Sequence, residues 1–315
     1  MASTILETTK TTANCILQLA SLIAKYMVRM QITEQFDPIR HLGKGSYGNV
    51  LLAAHKESGK TVALKMLAKN MNRGENFLME FATSLCLTSH PHIIGTYAVA
   101  FDTISHFVFV QEVATAGSLL SIIRPKFGLE EEIVKRCVLQ LASALQFMHD
   151  KGFVHRDIKP DNILLMDREC HCIKLADFGL TQLQGTNVPS MSRVIPYMAP
   201  ELCILGQNWG LLLHPSLDVW AFGVLIYIAL TGSLPWYGAV ACDDKYRTFV
   251  LWQNKKTPQV PTEWQMFTPE ARQVFCRMLS LNPMERCSAW EVSAYVHLPW
   301  KVPSQSISGI STDTN

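Results

Sequence analysis

The chain has 315 residues, 48% of them hydrophobic, with 28 Lys and Arg against 26 Asp and Glu for a formal net charge of +2. That length suits one large enzyme core or two joined lobes, and the near-balance of charge gives no ground for a nucleic-acid partner. Nine scattered cysteines, with Cys170 and Cys172 separated by one residue, fit neither a zinc ribbon nor a disulfide framework and point to a reducing, cytoplasmic compartment.

Residues 1–12 are rich in Thr and Ser without a period and read as a mobile tail. Over residues 13–30 the apolar residues Ile16, Leu19, Ala20, Ile23, Met27 and Met30 recur at three- and four-residue intervals. That is an amphipathic helix suited to packing on the outside of the following domain. Only Lys25 and Arg29 are basic there, so a membrane-surface helix is the minority reading and no stable membrane insertion is expected.

After the Asp37-Pro38 break comes Leu42-Gly43-Lys44-Gly45-Ser46-Tyr47-Gly48-Asn49-Val50. Gly-x-Gly-x-x-Gly alone is weak, since a dinucleotide-binding turn carries the same glycines, but that turn opens a helix. Here residues 50–55 read as a strand, a Glu57-Ser58-Gly59-Lys60 turn follows, and residues 61–66 read as a second strand. Glycines in such a hairpin let backbone approach phosphates. The second strand carries Val62-Ala63-Leu64-Lys65. On the helical stretch that follows, the best placed acid is Glu80 in Phe77-Leu78-Met79-Glu80-Phe81, ahead of His90-Pro91-His92-Ile93-Ile94.

Phe107-Val108-Phe109-Val110 is a buried-strand run ending at Gln111-Glu112-Val113-Ala114. Residues 130–150 form a long amphipathic helix with Val134, Cys137, Val138, Leu141, Leu145 and Met148 inward. Then Val154-His155-Arg156-Asp157-Ile158-Lys159-Pro160-Asp161-Asn162-Ile163-Leu164-Leu165 puts an acid, cations and an amide between apolar flanks, which marks a polar loop held between strands. Strand residues 172–176 lead into Asp177-Phe178-Gly179. The stretch 180–196 is polar, without a period, and holds Thr181, Thr186, Ser190 and Ser192. Ala199-Pro200-Glu201 closes it, and Asp218 opens a helix that is apolar through Leu230.

In this order and spacing the motifs resemble the protein kinase superfamily, serine/threonine type. Phe77-Leu78-Met79-Glu80-Phe81, the run from Asp218 to Ile226, and Leu230-Thr231-Gly232-Ser233-Leu234-Pro235-Trp236 are most similar to the SBK family, kinases named for a Src-homology-3-binding region. The resemblance implies an α+β, two-lobed fold. An N-terminal extension (1–35) would precede a kinase domain (36–300) made of a small β-rich N-lobe (36–112) and a larger helical C-lobe (113–300), with a disordered tail (301–315). It implies transfer of the ATP γ-phosphate to protein Ser or Thr hydroxyls with Mg²⁺. Asp157 would be the base, Lys159 the cation facing the transferring phosphate and Lys65 the α/β-phosphate contact paired with Glu80. Asn162 and Asp177 would hold Mg²⁺. The residues from Leu42 to Val50, Ala63, and the Glu112 and Ala114 backbone would enclose the nucleotide, with Gln111 guarding the inner pocket. Arg156 would pair with a phosphate on residues 180–196, Ser190 being the family position. Asp218 would hold the catalytic loop's backbone and Arg286 would pair with Glu201.

Three positions depart from the family pattern. Ser84 replaces an apolar residue one turn after Glu80, which predicts a shifted or loosely held helix. Val194, preceded by Arg193, replaces a Thr whose hydroxyl bonds the catalytic Asp and Lys; losing one hydrogen bond of about 1–3 kcal/mol predicts a ten- to hundredfold slower reaction. The residues after 300 offer only Pro303, so the one candidate Src-homology-3 ligand is Lys255-Lys256-Thr257-Pro258-Gln259-Val260-Pro261. A pseudokinase scaffold and a Src-homology-3-directed adaptor are the rival readings.

Overall fold

The computed structural model describes residues 2–44, 48–69, 73–189, 194–205 and 210–303. Gly45, Ser46, Tyr47, Ser190, Ser192, Arg193 and residues 304–315, named above, lie outside them.

The first helix, α1 (Ala2–Tyr26), starts eleven positions earlier than its apolar period and takes in the Thr-rich stretch that reads as a tail. The added turns are held by the large lobe: Thr12 donates its hydroxyl to the Lys151 carbonyl at 3.0 Å. Its apolar positions divide between two neighbours. Ile16 and Ala20 are buried in the large-lobe core, while Ile23 and Met27 pack on a cluster of Phe77, Phe81 and Phe109. The helix stops at Tyr26, short of residue 30, because the chain becomes the strand β1 (Val28–Arg29).

After a one-turn α2 (Ile32–Gln35) come β2 (Phe36–Lys44), β3 (Asn49–His55), β4 (Thr61–Ala68), the helix α3 (Arg73–Leu87), β5 (Thr96–Asp102) and β6 (His106–Gln111). They form one six-stranded sheet in the order β1-β5-β6-β4-β3-β2. Strand β1 closes an otherwise open edge by pairing in parallel with β5, fixed by an Arg29–Asp102 ion pair at 3.0 Å. Alternation along β4 buries Val62 and Leu64 on one face and Leu67 on the other, and α3 covers the Leu67 face through packed Phe77, Phe81 and Phe109 rings.

The larger part is helical. α4 (Glu131–Asp150) buries all six predicted inward residues. The hairpin strands β7 (Phe153–Val154), β8 (Ile163–Leu165) and β9 (Ile173–Leu175) follow. The stretch that reads as aperiodic contains β10 (Gln182–Leu183), paired with β7, and β11 (Asn187–Pro189), paired with β12 (Gly210–Leu212). Past the short α5 (Pro200–Cys203), α6 (Ser216–Thr231) has every residue buried, as expected of a helix apolar on all sides. Helices α7 (Asp244–Gln253) and α8 (Pro269–Met278) complete the shell. The last stretch is a 3-10 run, Ala289–Tyr295. The chain then returns to α4: Glu131 accepts the Trp300 and Lys301 amides, both at 2.8 Å, and Trp300 is buried. No described helix is long and apolar enough to cross a membrane.

Candidate active site

The polar groups singled out in the sequence converge where the sheet meets the helical part. Lys65 points inward from β4 and is buried. It forms ion pairs with Glu80 of α3 and with Asp177 Oδ1, the latter at 2.9 Å. Burial works against a charged lysine, but the two carboxylates outweigh it and hold Lys65 above its ordinary value. Lys65 also offsets the burial of Asp177, whose carboxyl sits below the usual range.

The expected looseness of α3 is not found. Ser84 is buried and donates its hydroxyl to the Glu80 carbonyl at 2.8 Å, satisfying itself within its own helix. Glu80 therefore stays in register with Lys65.

The loop between β7 and β8 is held from below by Asp218 of α6. Its Oδ2 accepts the His155 N–H and its Oδ1 the Arg156 N–H, each at 2.8 Å, while His149 Nε2 lies 2.9 Å from Oδ2. Burial raises Asp218, and these partners outweigh it and bring it below its ordinary value. His155 is buried, and burial keeps its ring below the ordinary imidazole value. Its Nδ1 accepts the Asp157 N–H at 3.2 Å, so the neutral ring carries its proton on Nε2, 3.1 Å from the Ala176 carbonyl. One ring thus ties the loop to the segment entering Asp177. His149 has no distinguishing spacing in the sequence, and His155 stands in the loop motif read there; what the two rings hold is visible only in the fold.

At the loop's surface, Lys159 Nζ lies 2.7 Å from Asp157 Oδ2, and Asn162 Nδ2 lies 2.8 Å from the same oxygen and 2.7 Å from the Asp157 carbonyl. Asp157 Oδ1 and Asn162 Oδ1 have no partner among the described residues. The β8–β9 ladder pairs Ile163 with Leu175, which sets Asn162 beside Ala176 and Asp177. Arg156 and Asp177 both have positive φ (72° and 65°), a strained backbone of the kind that concentrates at working sites. The Arg156 guanidinium reaches the Leu180 carbonyl at 3.1 Å, joining the loop to the segment after Gly179.

The sheet residues expected to enclose a nucleotide are also brought together. Register pairs Gly43 with Val50, Lys44 with Asn49, Val50 with Lys65, and Ala63 with Gln111. Leu42 precedes this hairpin end, and a side chain at Gly48 would collide with the Met66 carbonyl, so only glycine fits. Gln111 turns its amide to Thr96 Oγ1 at 3.1 Å. The Glu112 N–H is spent on the Gly95 carbonyl, and its carboxylate binds Lys174 at 2.9 Å, whereas the Ala114 N–H is donated to no described residue. Arg286 grips Glu201 through both oxygens (2.5 and 2.7 Å).

Elsewhere the placements are less favourable to a docking motif. Pro258 is exposed, but Pro261 is buried and leads the 3-10 turn Thr262–Trp264, so the Pro-x-x-Pro pair is not presented together.

Comparison with known families agrees with this geometry: the protein kinase domain matches residues 36–300. The chain belongs to the protein kinase family. Among curated relatives, serine/threonine-protein kinase SBK1 of Danio rerio is 44% identical over 90% of this chain and 74% of its own length. Serine/threonine-protein kinase SBK2 of Rattus norvegicus is 38% identical over 89% and 78%. Serine/threonine-protein kinase meng-po of Drosophila melanogaster is 36% identical over 86% and 60%. The kinase therefore falls within the SBK group, as its helix sequences imply.

Proposed function

We propose that this kinase transfers the γ-phosphoryl group of ATP to Ser or Thr hydroxyls of proteins, with Asp157 as the base. The observation that carries the reading is the meeting of Lys65, Glu80, Asp157, Lys159, Asn162 and Asp177 in one cleft. Asp157 Oδ2 is held by Lys159 and Asn162. This leaves Oδ1 to accept the substrate hydroxyl's proton as the oxygen attacks. Lys159, beside Asp157, is placed to offset charge gathering on the transferring phosphoryl oxygens. Lys65, kept cationic and aimed by Glu80, would hold the α- and β-phosphates.

The residues fit a magnesium ion. Asn162 keeps its Oδ1 free, and Asp177 uses Oδ1 for Lys65 and keeps Oδ2, so two hard oxygens are offered side by side. The ion would supply charge neutralisation for the β- and γ-phosphates. Adenine would pair with the Glu112 carbonyl and the Ala114 N–H, beneath Leu42, Val50 and Ala63.

The scaffold reading loses two supports: α3 keeps Glu80 on Lys65 despite Ser84, and Lys159 meets Asp157 despite Val194. Incubation of purified protein with labelled Mg·ATP and a mixed Ser/Thr/Tyr peptide library tests the proposal. Label on Ser and Thr, reduced about a thousandfold by Asp157→Asn, is expected; transfer that keeps its rate in Asp157→Asn would remove Asp157 as the base.

A further inference from the structure

Glu112 is held by more than its main chain. Its N–H goes to the Gly95 carbonyl at 2.8 Å, and its carboxylate folds back over the same residue, Oε1 accepting the Gly95 N–H at 2.6 Å. A side chain at position 95 would stand 3.1 Å from that carboxylate, so the glycine leaves room for it. The same Oε1 meets Lys174 Nζ at 2.9 Å, and the two side chains are largely shielded, 24% and 14% exposed. Shielding from water makes such a pair stronger than an exposed surface bridge.

The two charges stand on different parts of the molecule. Glu112 follows β6 at the end of the large sheet, whereas Lys174 is the middle residue of β9, three positions before Asp177. The segment between α3 and β5 is bonded to both. The Leu175 N–H goes to the His92 carbonyl at 2.8 Å and the Ile94 N–H to the Leu175 carbonyl at 2.9 Å, one residue ahead of the Gly95 that grips Glu112. His90 and His92 also face Lys174, and their rings are held below the ordinary imidazole value by burial first, with Lys174 as a further cause. Neutral rings offer the lysine no countercharge, and the Glu112 carboxylate supplies it.

We propose that Glu112 and Lys174 are positioning residues for ATP, their ion pair fixing the backbone that meets adenine relative to the strand that delivers Asp177 to the phosphates. The proposal rests on the reading of Glu112 and Ala114 as the adenine contacts. With its N–H spent on Gly95 and its carboxylate on Gly95 and Lys174, Glu112 has one polar group left for the base, its carbonyl, which accepts from no described residue. One end of the nucleotide is thereby fixed at residue 112 and the other at Asp177, and the pair sets the span between them. Without it the two ends lose register, and a shift of about 1 Å is enough to weaken a hold made at both ends. Neither side chain touches the reacting atoms, so the loss falls on nucleotide binding more than on turnover.

Calorimetric titration of the full chain with Mg·ADP, beside steady-state transfer to the peptide library at varied ATP, tests the pair in Glu112→Gln, Lys174→Met and Lys174→Arg. In Glu112→Gln and Lys174→Met, the Kd for ADP and the KM for ATP should rise about tenfold while kcat falls by less than about threefold. Lys174→Arg keeps the charge and should bring both constants back to within about threefold of the wild type. The double variant Glu112→Gln/Lys174→Met should bind ADP no worse than either single one, because all three lose the same contact. Variants that bind ADP as tightly as a binding wild type would overturn the positioning role. So would a kcat that rises in the variants, or one that falls with KM unchanged, the mark of a merely structural pair. A wild-type chain that fails to bind ADP would overturn the adenine reading itself, and this proposal with it.

Discussion

Lys159 and Asp157 are in direct contact at 2.7 Å, although Val194 lacks the hydroxyl that joins this pair elsewhere in the family. Val194 is itself 38% exposed, and its methyl group lies over Gly238, where an added Cβ would come within 2.6 Å. The hydroxyl is therefore not what assembles the pair. Val194→Thr should change kcat by no more than about threefold, less than the sequence alone predicts, whereas Asp157→Asn should cost about a thousandfold. Steady-state kinetics of the two variants decide between these views, and a tenfold gain from Val194→Thr would restore the larger role for the missing bond.

Arg286 reaches Glu201 from a buried position, donates to the Ser280 and Ser216 carbonyls, and stacks over Trp220. Removing one partner leaves the other's charge in a poor solvent. Arg286→Ala should destabilise the fold by about 3–5 kcal/mol, and Glu201→Gln by less, because Glu201 retains more contact with water. Urea unfolding midpoints of both variants give the order; equal losses would show that the pair is solvated.

Four histidines, His90, His92, His155 and His214, are held below the ordinary imidazole value, with burial as the leading cause. Below about pH 6.5 the unfolded chain takes up protons that the folded one refuses, so stability must fall as pH falls. The depressed carboxyls of Asp177 and Asp218 add a separate loss only below about pH 4, as pH falls toward their folded values. The melting midpoint should be level from pH 8 to 7 and decline from about 6.5 to 5. A level midpoint down to pH 5 would mean that these rings protonate as freely in the fold as outside it.

Ile16 is 2% exposed where α1 meets the core. Ile16→Asp places an unpaired carboxylate there, and α1 should detach more readily than the kinase core unfolds. Hydrogen exchange should speed up across α1 first. Activity should fall by about tenfold, because α3 loses its outer support. Unchanged exchange in α1 would show that the helix is held from elsewhere.

Most of the site was legible because its chemistry is local: Asp157, Lys159 and Asn162 lie within six positions, and Asp177-Phe178-Gly179 follows at a readable distance. What stayed hidden depends on partners far along the chain. The Thr-rich start of α1 has little helical preference of its own and is held by the Lys151 carbonyl, 139 residues away. Strands β10 and β11 are two and three residues long and exist because β7 and β12 offer them backbone. Ser84 misled in the other direction: its polarity argued for a loose helix, yet its hydroxyl was met by a carbonyl one turn back.

The clasp between Glu131 and the amides of Trp300 and Lys301 spans up to 170 residues. On the ribosome, α4 emerges long before its clasp exists. Until translation reaches Lys301, the groove that Trp300 fills stands open, with apolar walls exposed. The nascent kinase is therefore at its most aggregation-prone late in synthesis, when most of its chain is already outside, and this is the interval in which a chaperone would find it.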